Sequence, residues 1–267
     1  MPPYTGKVIV LTGASQGIGR ALALRLAEER PRLVLAARDL SALAAVEGEC
    51  RERGADTLVV PTDVTSEAQC RALVERTVEH FLALDVLVNN AGIGMIARFD
   101  EVRDLSVYER VMRVNYLGCV YPTFYALPHL KRSRGQIVVM ASLAGLTGVP
   151  TRTGYAASKH AVIGFFDSLR IELAGTGVDV TVVCPYFVRS EIHKRAAGSD
   201  GQALGTTPMR EDRIMTAEEC AERTVSAMSR RQRMLVFTAK GKLGRFAKLV
   251  APGLVDRIAL RAVERGR

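Results

Sequence analysis

The sequence has no tryptophan, and aromatic residues make up only 6% of it. It therefore lacks the aromatic interleaving that stacks on nucleic-acid bases, and no nucleic acid is expected as a partner. Histidine is scarce too: His80, His129, His160 and His193 are the only four, and they form no ligand pattern. The five cysteines (Cys50, Cys70, Cys119, Cys184, Cys220) are scattered, odd in number and without metal spacing. They read as small buried hydrophobes in a reducing compartment, and no metal is expected. No apolar run approaches the roughly 18 residues of a spanning helix. Met1 to Gly6 is short and polar, and Lys7 to Thr12 reads directly as a strand. No leader is expected, and the expected location is cytoplasmic.

What is present is a chain of 267 residues with 48% hydrophobic content, enough for one sizeable α/β core. Its net charge of +9 is unevenly placed. The last 38 residues, from Arg230, hold 11 Lys/Arg and 2 Asp/Glu, whereas the first 229 hold 26 of each sign. The whole surplus therefore lies at the carboxyl end.

Short apolar runs alternate with segments of helical periodicity. Strands are predicted at Val8–Leu11, Leu33–Ala36, Thr57–Val60, Val86–Val88, Ile137–Met140, Val178–Val183 and Met234–Phe237. Helices are predicted at Gly17–Glu29, Leu40–Arg53, Glu67–Phe81, Tyr108–Leu130 and Gly154–Leu173, with Pro122 and Pro128 as irregularities in the fourth. Such alternation predicts a doubly wound, seven-stranded parallel sheet with helices on both faces. Residues 1–238 are expected to form one domain and 239–267 an extension. Gly198 to Pro208, rich in Gly, Ser and Thr, is expected to be a mobile surface loop.

Thr12-Gly13-Ala14-Ser15-Gln16-Gly17-Ile18-Gly19 joins the first strand to the first helix. Gly13, Gly17 and Gly19 permit a sharp turn and close approach of a ligand, and the helix start around Ser15, Gln16 and Ile18 offers N–H groups to a phosphate. The spacing G-x3-G-x-G differs from the usual G-x-G-x-x-G, and a tight turn alone could account for it. Its place between a strand and a helix favours a Rossmann-type dinucleotide site. At the end of the second strand, Ala37 stands where an acid would read a ribose 2′-hydroxyl, and Arg38 follows. A basic residue there suits a 2′-phosphate, so NADP(H) is expected over NAD(H). Asp39 competes for that role but reads better as the N-cap of the next helix. Asp63 and Val64 suit an adenine contact, and Asp63 equally suits a plain turn. Asn90, Ala91 and Gly92 end the fourth strand, where small residues admit a cofactor and the asparagines could instead fix the turn.

Ser142, Tyr155 and Lys159 bear the chemistry. Tyrosine is a weak acid, with a reference pKa of about 10. A lysine at i+4 shares its helix face and stabilises a phenolate, and a serine hydroxyl can hold a substrate oxygen beside them. Asn115 lies inside a predicted helix, where asparagine is mildly unfavourable. A satisfied buried amide and a polar relay to Lys159 through water both remain open.

Taken in order from about Lys7 to Ser190, these motifs resemble the short-chain dehydrogenase/reductase family. The resemblance implies a catalytic tetrad of Asn115, Ser142, Tyr155 and Lys159. Tyr155 would exchange a proton with the substrate oxygen, Lys159 would hold the nicotinamide ribose and lower the Tyr155 pKa, and Ser142 would orient the substrate. Pro185 and Val188 would border the nicotinamide. Assembly as a homodimer or homotetramer is implied as well. One departure stands out: in Cys184-Pro185-Tyr186-Phe187-Val188-Arg189-Ser190, Tyr186 replaces the family's glycine and Ser190 takes its threonine's place.

Substrate selection would fall to about Glu191–Arg213. Leu243, Phe246, Leu249 and Val250, then Leu254, Val255, Ile258, Ala259 and Ala262, are spaced as two basic amphipathic helices. These suit packing on the domain or a partner subunit, or peripheral contact with a membrane surface. The tail and the region Val114–Tyr121 also resemble the branch acting on lipid, retinoid or steroid carbonyls, which implies an apolar small-molecule substrate. The expected function is an NADP(H)-dependent oxidoreductase, and the alternative is a cofactor-binding sensor or scaffold of the same fold.

Overall fold

The run Val8–Thr12 (β1) is apolar at almost every position, so it needs cover on both faces. All five residues are buried, with Ile9 and Leu11 packed into one core and Val8 and Val10 into another. That split follows from the two-residue period of a strand. The computed structural model describes residues 3–189, 192–206 and 214–264.

The other strands are β2 (Arg32–Ala37), β3 (Asp56–Pro61), β4 (Val86–Asn89), β5 (Gln136–Met140), β6 (Asp179–Cys184) and β7 (Met234–Val236). They form one parallel sheet in the order β3-β2-β1-β4-β5-β6-β7. The predicted doubly wound sheet is thus observed. Helices α1 (Gly17–Ala27), α2 (Leu40–Glu52) and α7 (Ala217–Ser229) cover one face. Helices α3 (Glu67–Phe81), α5 (Gly118–Ser133) and α6 (Thr153–Glu172) cover the other. The winding reverses between β1 and β4, which opens a crevice beyond the carboxyl ends of the strands.

The long predicted helix is split. Helix α4 (Ser106–Met112) passes into a π-helical turn, Arg113–Leu117, before α5 begins. Such turns are rare and concentrate at functional sites. Pro122 and Pro128 lie inside α5 without ending it. Each removes a ladder hydrogen bond, and burial of Pro122, Ala126 and Leu130 against the sheet overrides that local loss. The described part of the Gly-rich segment is tied down: Gly198 N donates to Gln202 O at 2.8 Å, and Ala197 bridges both Met95 and Ala203. After β7 the chain forms two helices, α8 (Ala239–Val250) and α9 (Pro252–Glu264).

Candidate active site

At the phosphate end, α1 lacks the side-chain cap that α2 and α7, on the same face of the sheet, possess. Its N-cap, Gln16, makes no side-chain cap hydrogen bond, and its first turn contains no acid. Helices α2, α3, α7 and α8 are capped by Asp39, Ser66, Thr216 and Thr238. The free N–H groups of α1 and its partial positive charge therefore face the loop that precedes it. That loop admits no larger residues. A Cβ on Gly19 would lie 1.9 Å from Gly13 O, and one on Gly13 would lie 2.8 Å from Ala91 Cα. Ser15 and Ile18 are half-buried in the same turn, and Gly17 has φ +54°. Asn90 braces the turn by donating to Thr12 O (3.0 Å) and Gly13 O (3.1 Å). Its own N–H and that of Ala91 donate to Thr12 Oγ1. A pinched glycine cradle facing an uncapped helix start fits the pyrophosphate of a dinucleotide.

Arg38 stands exposed just past β2. Asp39 is occupied as a cap and accepts from Ala42 N at 3.0 Å. This bond, with that from Ser41, holds its carboxyl below the usual range. Asp63 accepts from Thr65 N (2.9 Å) and Thr65 Oγ1 (2.8 Å), which is the turn role. Val64 is buried so closely against α5 that a Cβ on Gly118 would lie 2.7 Å from its Cγ2.

At the chemical end, Tyr155 is half-buried and Lys159 buried, one turn apart on α6. Lys159 Nζ lies 5.8 Å from the Tyr155 ring centroid and donates to Met140 O at 2.7 Å. That carbonyl ends β5, so the ammonium is anchored to the sheet edge. Ser142, two residues on, accepts from Ala144 N at 3.2 Å through Oγ and caps the short turn Leu143–Gly145. Asn115, fully buried in the π-helical turn, accepts from Ile93 N at 2.8 Å. It donates to Ile93 O and to Ser158 Oγ, both at 3.0 Å. Ser158 Oγ in turn donates to Tyr155 O at 2.7 Å. The Asn115 amide therefore has direct partners, as in the buried-amide reading. It also faces the lysine's neighbourhood: a Cβ on Gly92 would lie 3.2 Å from Asn115 Oδ1 and 3.7 Å from Lys159 Nζ.

Three residues join this site that motif reading passed over. Ser158 is one. Arg152, the N-cap residue of α6, is only 8% exposed, and its guanidinium lies 5.3 Å from the Phe187 ring centroid. Burial pushes that guanidinium below its ordinary value, and the phenols of Tyr155 and Tyr186 oppose the shift. Its place three residues before Tyr155 was the available signal. Thr151 has φ +66°, uncommon for a β-branched residue, and its carbonyl accepts from Ala97 N at 2.8 Å.

After β6, Pro185 is buried and its carbonyl accepts from Leu143 N at 3.0 Å. Val188 is buried and bridges Met215 in parallel. Tyr186 stays 44% exposed with its ring centroid 4.5 Å from that of Phe187. Ser190 lies outside the described residues, as do Glu191 and 207–213 of the proposed substrate segment.

Known proteins resemble this chain in sequence and fold. The family described as short chain dehydrogenase matches residues 7–200. An 11-beta-hydroxysteroid dehydrogenase of Pinus massoniana is 37% identical over 258 residues, covering 94% of this chain and 72% of that protein. A dehydrogenase/reductase SDR family protein 7-like of Dictyostelium discoideum is 36% identical over 95% of this chain and 80% of its own. Among solved structures, an alcohol dehydrogenase from Thermococcus sibiricus complexed with 5-hydroxy-NADP superposes with a TM-score of 0.73 at 27% identity. That match covers 82% of this chain and 89% of the archaeal one. With the matched family spanning most of the chain, and the glycine cradle and Tyr155–Lys159 pair at one sheet edge, the protein belongs to the short-chain dehydrogenase/reductase family of NAD(P)-binding oxidoreductases.

Proposed function

We propose that the chain interconverts a carbonyl and a secondary alcohol on an apolar substrate, uses NADP(H), and employs Tyr155 as general acid/base. The observation that carries this reading is the half-buried phenol of Tyr155 beside the buried, sheet-anchored ammonium of Lys159. Bound NADP(H) would supply or accept the hydride. Tyr155 gives its phenolic proton to the carbonyl oxygen in reduction and takes it from the alcohol in oxidation. Lys159 provides positive charge as the phenol loses that proton. Ser142 offers its hydroxyl to the same oxygen. Asn115 holds the Ile93 backbone and, through Ser158, the first turn of α6, so it fixes where Tyr155 starts.

The exposed Arg38 after β2 supports NADP(H) over NAD(H). The relatives named hydroxysteroid dehydrogenases support an apolar, steroid-like ketone or alcohol. Assembly as a homodimer or homotetramer, a cytoplasmic location and peripheral contact of the basic tail with a membrane belong to the same reading. No helix among the described residues is long and apolar enough to cross a membrane.

The test is Tyr155→Phe, assayed with NADPH against a panel of steroid and long-chain ketones. Cofactor affinity should be unchanged and turnover should fall about 10²–10⁴-fold, the usual contribution of positioned proton transfer. Turnover within a few-fold of the parent would reject Tyr155 as the acid/base. Cofactor binding by the parent without turnover of any ketone would favour the sensor reading.

A further inference from the structure

Helix α8 is amphipathic in the reverse of the usual sense. Its half-buried positions are small: Gly241, Gly244 and Ala247. Gly241 faces Leu143 so closely that a Cβ there would lie 2.8 Å from a Leu143 methyl group. The large apolar residues face away from the domain, with Leu243, Phe246, Leu249 and Val250 exposed by 64–80%. Helix α9 repeats the pattern: Val255 and Ala259 are half-buried, and Leu254, Ile258 and Leu260 are exposed by 50–58%. Half of the exposed large hydrophobics among the described residues fall between 243 and 260. An apolar patch this concentrated marks an interaction surface.

Charge identifies its occupant. The exposed Lys248, Arg257 and Arg261 lie on the same pair of helices, within the segment that carries the chain's whole positive surplus. Two copies of such a face would repel each other, whereas an anionic lipid surface matches both its charge and its apolarity. Position gives the contact a use. Helix α8 leaves the carboxyl end of β7 and rests on Leu143, the neighbour of Ser142. Leu143 N is bonded to Pro185 O, the neighbour of the exposed Tyr186. The helix that carries the apolar face thus begins at the rim of the site.

We propose that α8 and α9 seat on an anionic bilayer and hold the mouth of the site, between Leu143 and Tyr186, against it, so that substrate enters from the lipid. The entry half rests on the apolar substrate proposed above, and the seating half assigns α8 and α9 as the surface for the membrane contact proposed there.

The absence of tryptophan allows single reporters to be introduced. Phe246→Trp probes the seat and Tyr186→Trp the mouth. Leu82→Trp probes the opposite, amino edge of the sheet, where Leu82 precedes β4 and is 86% exposed. The intact chain should float with phosphatidylglycerol-containing vesicles. Binding should fall about tenfold or more on pure phosphatidylcholine, and likewise in a Leu243→Glu, Phe246→Glu, Leu249→Glu variant. With brominated lipid, Trp fluorescence should be quenched at 246 and 186 but not at 82. No flotation overturns the seat, as does flotation insensitive to the glutamates. Dimerisation through this face without flotation would assign it to a second copy and also overturns the seat. Flotation with 186 no more quenched than 82 overturns the entry route alone. None of these readings depends on turnover, so failure of the assigned reaction cannot be mistaken for failure of the seat.

Discussion

Asn115→Ala tests whether the buried amide holds the site together. The side chain makes three direct hydrogen bonds, to Ile93 N (2.8 Å), Ile93 O (3.0 Å) and Ser158 Oγ (3.0 Å). At about 1 kcal/mol net for each bond, their loss costs about 3 kcal/mol. Two factors pull against each other around that figure. Ile93 is half-buried, so water can replace some of the lost bonding, while the truncated amide leaves a small void. A range of about 2–4 kcal/mol results, equivalent to a fall of about 6–12 °C in Tm for a mid-range loss in a chain of this size. Urea and thermal melts without cofactor measure it. Asn115→Asp should fare no better, because its second oxygen would face Ile93 O where the amide donated, and it brings a buried charge. NADPH affinity should weaken in parallel, since Gly92, in the predicted cofactor stretch, lies against both Asn115 Oδ1 and Lys159 Nζ. An alanine variant within about 1 kcal/mol of the parent would refute the brace, because even one of the three bonds is worth that much.

Three further outcomes are expected. Gly19→Ala should abolish NADPH binding in a titration, since its Cβ would sit 1.9 Å from Gly13 O and force the cradle open; unchanged affinity would mean the loop is a plain turn. Arg38→Ala should weaken NADPH by about 10–100-fold, the worth of a charge-assisted hydrogen bond, and leave NADH alone; equal loss for both would remove Arg38 from the 2′-phosphate. Burial raises the thiols of Cys50, Cys70 and Cys220 to about 12 and that of Cys119 to about 11. Because these folded values lie above the ordinary value of 9.0, their contribution to stability is intact below pH 9.0 and is lost as pH rises toward 11 and 12. All five cysteines are buried, so a thiol reagent at pH 8 should label them only after unfolding; rapid native labelling would contradict the packing.

Much of this was legible in local pattern. All seven strands appear where short apolar runs predicted them, because a fully buried strand needs nothing but apolar side chains between turn residues. The capping role of Asp39 was legible for the same reason: one side chain satisfies an N–H three residues away. The break in the long helix was not. Arg113–Leu117 carries no proline or glycine to announce a π turn. What that turn accommodates, Asn115 reaching Ile93 and Ser158, joins residues 22 and 43 positions away. Arg152 offered only its place three residues before Tyr155, since an arginine beside a helix start usually points to water, and here Phe187 covers it.

By itself, the sequence determined the order of the strands, the glycine cradle and the Tyr155–Lys159 pair, since each rests on periods and spacings within a few residues; α7 (Ala217–Ser229) was not read from it. Only the tertiary structure decided what those groups meet. It put Lys159 on the Met140 carbonyl, drew Asn115 into the loop after β4, and turned the small side of α8 inward so that its large apolar residues face out. Helical spacing defines an apolar stripe but not the direction it faces. That direction is set by how closely Gly241 can approach Leu143, a contact between residues almost a hundred positions apart.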